Sequence, residues 1–225
     1  MNDHLNRRNL LAAAGGAGLA AVFGPRAIAF LGGESAAAAT TACLLAPEVT
    51  AGPYWIKESL TRRDITEGKP GLPLVVRFTV LNARTCKPIK NADVEIWHCD
   101  AAGGYSAVNG AKTRFLRGHQ RSDAAGRAEF LTIFPGWYRG RTPHVHMKVY
   151  VGGATVHTGQ IFFNEQITRQ VYRQSPYAAR GEYDTSHAQD MIYRQAGGSS
   201  AEVKLARRTG GLRGYTGTIA TGVVT

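Results

Sequence analysis

His144 and His146 stand two apart in the run Arg141-Thr142-Pro143-His144-Val145-His146, with Tyr138 just upstream and Tyr105 earlier in the chain. The mostly apolar Met147–Val151 that follows reads as a continuing strand, on which alternate residues project from one face. Two imidazoles held side by side make half of a metal site. A cupin-type site needs a Glu shortly after the pair, where Tyr150 and Val151 stand. A two-His-one-carboxylate iron(II) site needs an acid nearby, and none occurs between Glu129 and Glu165. A three-His zinc site would have to recruit His157 from the next strand. Two tyrosines with two histidines would instead suit iron(III), because anionic phenolate oxygen stabilises the oxidised metal. His98, His119, His157 and His187 read as structural histidines, and Asp100 as the cap of a turn.

Those side chains need a rigid frame, and the pattern from Leu74 onward is β. Leu74–Leu81 is rich in β-branched residues, and Ala92–His98 alternates, with Val94 and Ile96 on one face and Asp93 and Glu95 on the other. Ala128–Phe134, His144–Val151 and Thr155–Phe163 make three further strands, the last two joined at Gly152-Gly153 as a hairpin. Short strands between Gly, Pro and Asp turns predict an all-β, antiparallel sandwich of the prealbumin-like kind, with long active-site loops and little helix. Ala101–Gln120 reads as one long loop, Asn164–Tyr172 as a short helix, and the Gly/Ser/Thr-rich stretch from Gly197 as a flexible tail in which Val223-Val224 is the one late strand candidate.

The amino-terminal stretch has a different character. Arg7-Arg8 precedes an apolar run, Leu10–Phe23, of 14 residues, and a small-residue stretch, Ala36–Ala39, comes after it. That is the composition of a cleavable export signal, too short for a permanent span of roughly 20 residues, and the paired arginines point to the twin-arginine route. Residues 1–42 are therefore expected to be signal and linker, and 43–225 one domain. Cys43 as a lipid-anchored residue is the alternative, against which Thr40 stands where a Leu is usual. After cleavage no membrane association is expected. The remaining 183 residues carry 24 basic and 14 acidic side chains, net +10. No Lys/Arg run exceeds two, so the charge reads as a solvated surface with mild anion steering, and nucleic acid is not expected as a partner. Cys43, Cys86 and Cys99 suit one disulfide and one free thiol in an exported protein, and Cys43–Cys86 is the expected pairing.

Several blocks together resemble the intradiol ring-cleavage dioxygenases, the catechol and protocatechuate dioxygenase family. They are Gly52-Pro53-Tyr54, Ile96-Trp97-His98-Cys99-Asp100-Ala101 with Gly104-Tyr105-Ser106, Pro135-Gly136-Trp137-Tyr138, Arg141-Thr142-Pro143-His144-Val145-His146 and Gly159-Gln160-Ile161. They follow the family's order and spacing over most of residues 51–163. The resemblance implies Tyr105, Tyr138, His144 and His146 as ligands to Fe(3+). It implies Arg141 and Gln160 beside the substrate ring, Tyr138 as the ligand that leaves and accepts a proton, and Pro53 and Tyr54 along the pocket wall. The implied reaction uses O2 to open a catecholic ring between its two hydroxyl-bearing carbons, giving a cis,cis-muconate. The long helical dimerisation segment of the catechol branch has no room in residues 43–73, which leaves the oligomeric state open and makes the chain similar to the compact, exported branch. Two rivals share part of the pattern: a non-catalytic prealbumin-like module, which has no use for these ligands, and an inactive relative that binds phenolics, against which the intact Arg141 and Gln160 argue.

Overall fold

Leu74, Val76, Phe78 and Val80 alternate along strand β1 (Pro73–Asn82), and each is at least 99% buried. Such side chains contribute about 1.5–3 kcal/mol each on leaving water, and they define the inner face of the first of two sheets. The computed structural model describes residues 45–209 and 213–225; the export signal expected over 1–42 and the Cys43 end of the expected disulfide lie outside the described residues. Cys86 is disulfide-bonded, and Cys99 is a buried free thiol.

The remaining strands follow as β2 (Asp93–Trp97), β3 (Arg117–Arg121), β4 (Arg127–Ile133), β5 (His144–Val151), β6 (Ala154–Phe162), β7 (Lys204–Arg207) and β8 (Tyr215–Val223). One sheet has the order β4-β1-β8-β7 and the other β3-β2-β5-β6. Val94 and Ile96 of β2, with Val145, Met147 and Val149 of β5, meet Val76, Phe78 and Phe130 of the first sheet in a single core. The expected all-β sandwich is the architecture found. Its second sheet is wholly antiparallel, whereas β1 and β8 run parallel, with Phe78 opposite Ile219.

Two expectations need correction, and one that holds gains a detail. The stretch from Gly197 is not a flexible tail: it carries β7 and β8, and β8 lies inside the first sheet, paired on both sides. Its glycines disguised it. Gly217 sits where a Cβ would come within 3.3 Å of the Leu205 and Val203 side chains, so glycine there serves close packing, while the neighbouring Thr, Ile and Val residues supply strand preference. The Ala101–Gln120 loop ends in β3, whose sequence RGHQR has no apolar alternation yet has Arg117, Gly118 and His119 buried. Glu95 does face away from the core with Asp93, but it is only 4% exposed.

That last point shapes everything functional. The outer face of the second sheet is roofed by the segment preceding β1. Val49 N donates to Thr158 O (3.0 Å), Arg62 N to His119 O (3.1 Å), and His119 N to Leu60 O (2.8 Å). Under this roof Glu95 accepts from Trp55 Nε1 (3.1 and 3.2 Å) and from the Tyr150 hydroxyl (2.6 Å). Helix α1 (Glu165–Tyr172) starts at Asn164, whose side chain caps Gln166 N and Ile167 N, and helix α2 (Met191–Gln195) starts at Asp190. Deleting residues 213–225 should leave a chain without a cooperative thermal transition by circular dichroism; an unchanged melting temperature would show that β8 is dispensable.

Candidate metal centre

His144 and His146 lie on β5 with their rings on the roofed face, 2% and 1% exposed. The β2–β5 register sets Trp97 opposite His146, and the indole lies flat on the imidazole, with centroids 5.0 Å apart and planes 4° from parallel. His144 Nδ1 donates to Thr142 O at 2.8 Å. A carbonyl only accepts, so this bond fixes the tautomer and leaves Nε2 as a lone pair. That Nε2 lies 3.1 Å from His146 Nε2 and 3.0 Å from the Tyr138 hydroxyl, and the Tyr105 hydroxyl is 3.1 Å from His146 Nε2. Four ring heads from three parts of the chain therefore converge.

Backbone contact brings the two tyrosine loops together. Asp100 Oδ1 accepts from Ala102 N and Gly104 N, the turn cap expected of it. Gly136 N donates to Asp100 O, and a Cβ on Gly136 would sit 2.3 Å from that same oxygen. Gly103, at φ +83°, has the Trp137 carbonyl 2.2 Å from where a Cβ would be. Only glycine permits that approach. From β3, Arg117 holds Ser106 through its Oγ and its carbonyl, both at 2.9 Å, which fixes the residue after Tyr105.

Tyr54 stacks on Tyr105 at 4.3 Å and meets Tyr138 edge-on at 6.1 Å, so it walls the cluster; Pro53 beside it is exposed on a turn. Arg141 reaches in from the loop before β5. Its Nη2 donates to Gln160 Oε1 (2.6 Å), its Nε to Asp190 Oδ2 (2.9 Å), and its Nη1 stands 3.5 Å from His144 Nε2. Gln160 Nε2 donates to Thr50 O at 3.0 Å. All eight side chains expected at the site thus lie in or beside one cluster, with Pro53 at its edge. Trp97, stacked on His146, and Asp190, which holds Arg141 from outside the cluster, were not anticipated. The register of β2 on β5 was the only signal for Trp97, and Asp190 is 49 residues from Arg141 in sequence. His98 bonds Cys99 O and Thr132 Oγ1, and His187 stacks on Tyr193, both in structural roles.

The electrostatics favour a metal. Burial pushes His144 down to about 3, with the Arg141 cation adding to it, and pushes His146 well below the usual imidazole range, with His144 adding. Both rings are therefore neutral and ligand-ready at neutral pH. Burial pushes Tyr138 up to about 12 and Tyr105 well above the usual phenol range, while Arg141 pulls both down. The phenols keep their protons unless a strong positive charge arrives among them. Two neutral imidazole nitrogens and two phenols whose ionisation needs a cation fit a hard, highly charged metal ion. Among the described residues no group of three or more His, Cys, Asp or Glu could hold a metal, so tyrosines are the partners available to the His pair. A cleft of about 710 Å³ lies elsewhere on the same sheet face, lined by Trp55, Glu95, His119, Lys148 and Tyr150, and contains none of the four ring heads.

A family model described as Dioxygenase matches residues 47–191. The structure of an intradiol ring-cleavage dioxygenase from Tetranychus urticae superposes with a TM-score of 0.77 at 32% identity, covering 81% of this chain and 95% of that one. The dioxygenase domain of a dioxygenase–carbohydrate-binding protein fusion from Streptomyces sp. SirexAA-E gives 0.60 at 29% identity, covering 80% and 97%. Catechol 1,2-dioxygenase 1 of Acinetobacter lwoffii is 29% identical over 162 residues, 60% of this chain and 51% of that protein. The chain spans about half the length of the curated relatives it matches.

The buried neutral histidines set an acid limit on the metal-free protein. His98, held down to about 4 by burial, joins His144 and His146. The unfolded chain binds protons on these rings below about pH 6.5, while the fold refuses them until far lower. Stability is therefore whole above that pH and falls as pH drops, by roughly 1 kcal/mol per ring between pH 6.5 and 5.5. Urea midpoints of chelator-treated protein should decline over that interval; a flat profile would show that the rings are charged or exposed.

Proposed function

The chain belongs to the intradiol ring-cleavage dioxygenase family, and from that premise we propose that it opens a catecholic ring between the two hydroxyl-bearing carbons with O2, giving a cis,cis-muconate, at a ferric ion held by Tyr105, Tyr138, His144 and His146. The observation that carries this reading is the convergence of those four heads, each within 3.1 Å of the next, beside the Arg141 guanidinium. A ferric ion would supply a site for both catechol oxygens and draw electron density from the ring, which readies it for dioxygen.

The chain's own residues do the rest. Tyr138, close to the His144 edge that Arg141 also faces, would help hold the ion and could take a substrate proton at its Oη. Tyr105, stacked on Tyr54 and followed by the Ser106 that Arg117 holds, would be the more firmly placed of the two phenols. Arg141 is a fixed cation in a dry site, where it stabilises the negative charge that grows on the ring and its oxygens. Gln160 has its oxygen occupied by Arg141 and its nitrogen by Thr50 O, so its amide is oriented before substrate arrives. Trp97 shields His146 from water on one side, and Tyr54 offers an aromatic wall against which a planar ring can lie. A purely structural sandwich has no use for four converging polar heads of this kind.

Loaded with iron, the purified protein should show the wine-red tyrosinate-to-iron(III) absorption, take up oxygen with catechol and form a muconate product. Tyr105→Phe and His144→Ala should lose the colour. Arg141→Gln should keep the colour and lose about 10²–10³-fold in kcat, the scale of removing one charge-stabilising donor. An unchanged spectrum in His144→Ala would remove the ligand assignment.

We also infer export of the folded protein by the twin-arginine route, from Arg7-Arg8 and the apolar run after them; the disulfide at Cys86 suits an oxidising compartment. Arg7→Lys with Arg8→Lys should retain the protein in the cytoplasm in cell fractionation. Unimpaired export would point to the general secretory route.

A further inference from the structure

Asp190 is 2% exposed, yet it lies outside the ring cluster, and its two oxygens have separate duties. Oδ1 accepts from Ile192 N (2.8 Å) and Tyr193 N (3.2 Å), which caps α2. Oδ2 accepts from Arg141 Nε (2.9 Å) and from Thr142 N (3.0 Å). The first of these grips the cation. The second fixes the peptide beside Thr142, whose carbonyl receives His144 Nδ1–H. Arg141 keeps 17% of its side chain exposed, so a long, flexible chain has somewhere else to go. Two anchors prevent that: Asp190 at Nε and Gln160 at Nη2. Those two anchored nitrogens, with the Cδ that carries Nε, fix the plane of the guanidinium, and the Nη1 left over is the one that faces His144 Nε2.

We propose that Asp190 is the positioning residue for Arg141, holding the guanidinium edge toward the reacting ring and tying that orientation to the His144 tautomer. This rests on the proposed ring cleavage, but its physical core, the grip on Arg141, does not. Asp190 is buried against Arg141, so without it the cation would lose both its counter-charge and its Nε acceptor. The side chain would then swing toward solvent.

Asp190→Asn separates the two duties. The amide oxygen can still cap α2, while the amide NH2 faces the Nε–H of Arg141 and the N–H of Thr142, donor against donor. Iron-loaded Asp190→Asn should keep the visible absorption band and lose about 10–100-fold in kcat with little change in KM, the usual scale for outer partners of a metal site. In an Arg141→Met background the same substitution should cost nothing further in kcat. In metal-free protein, the urea midpoint should fall for Asp190→Asn in the parent chain and fall less, or rise, in Arg141→Met, because there the carboxylate has lost its partner. A parent-like kcat in Asp190→Asn, or an equal midpoint loss in both backgrounds, would overturn the proposal and reduce Asp190 to a helix cap. Should Asp190→Asn not fold, Asp190→Ser, which keeps a capping oxygen, should show the same kcat loss and the same background dependence. If the parent protein cleaves no catechol, the proposed function fails, and the midpoint cycle alone still decides whether Asp190 holds Arg141.

Discussion

Four polar ring heads must be kept dry on the outward side of a sheet whose inward side is already the core. The rest of the structure answers that constraint. Val145, Met147 and Val149 of β5 are spent on the core, so His144 and His146 necessarily face the other way. Left there without cover they would meet water, and no dry, preorganised site would form. The segment before β1 supplies the cover, pinned by Val49 N to Thr158 O, Gln160 to Thr50 O and Trp55 to Glu95. Glycines set how closely it and the two tyrosine loops approach. Gly52, at φ +71°, would bring a Cβ to 3.2 Å from the His146 ring, and Gly136 and Gly103 lock the loops against one another. The strand aims the imidazoles, and backbone-to-backbone contact places the phenols.

Much of this was legible in the sequence because it depends on short-range spacing. A His-x-His on a strand puts both rings on one face whatever the rest of the fold does, and β1, β2, β4, β5 and β6 declare themselves by alternation. The tyrosines were legible only as members of recurring blocks, since nothing in local pattern tells a loop where to fold back. What stayed hidden depends on burial that local sequence does not encode. β3 reads as surface because Arg117 and His119 are polar, yet they are buried by partners far away in sequence. Glu95 was placed on a polar face, correctly, but that face has a roof. β8 looked like a flexible end because its Thr and Gly residues were weighed one by one, when their role is to fit between β1 and β7.

Charge is as economical as geometry here. Burial holds the imidazoles neutral, with Arg141 adding to it, and against the burial that keeps the phenols protonated Arg141 pulls the other way, so one cation acts on all four heads in the direction a metal needs. Such a cation would be costly to bury alone. Its partial exposure and its bond to the Asp190 carboxylate offset that cost, and the same carboxylate also begins α2. The orientation of the site's fixed charge is thereby coupled to a short helix that contributes no ring head of its own.

The parallel pairing of β1 with β8 has a consequence for how the molecule is made. Phe78 and Ile219 lie opposite one another although about 140 residues separate them, a long-range contact of the kind that slows folding. At translation speeds of roughly 5–20 residues per second, β1 has left the ribosome on the order of ten seconds before its neighbour exists. All four strands of the second sheet have been synthesised by residue 162, and throughout the wait one edge of β1 offers unpaired backbone groups to any passing chain. Molecular chaperones that shelter such edges would have a task throughout this interval, and the arrival of β8 is what ends it.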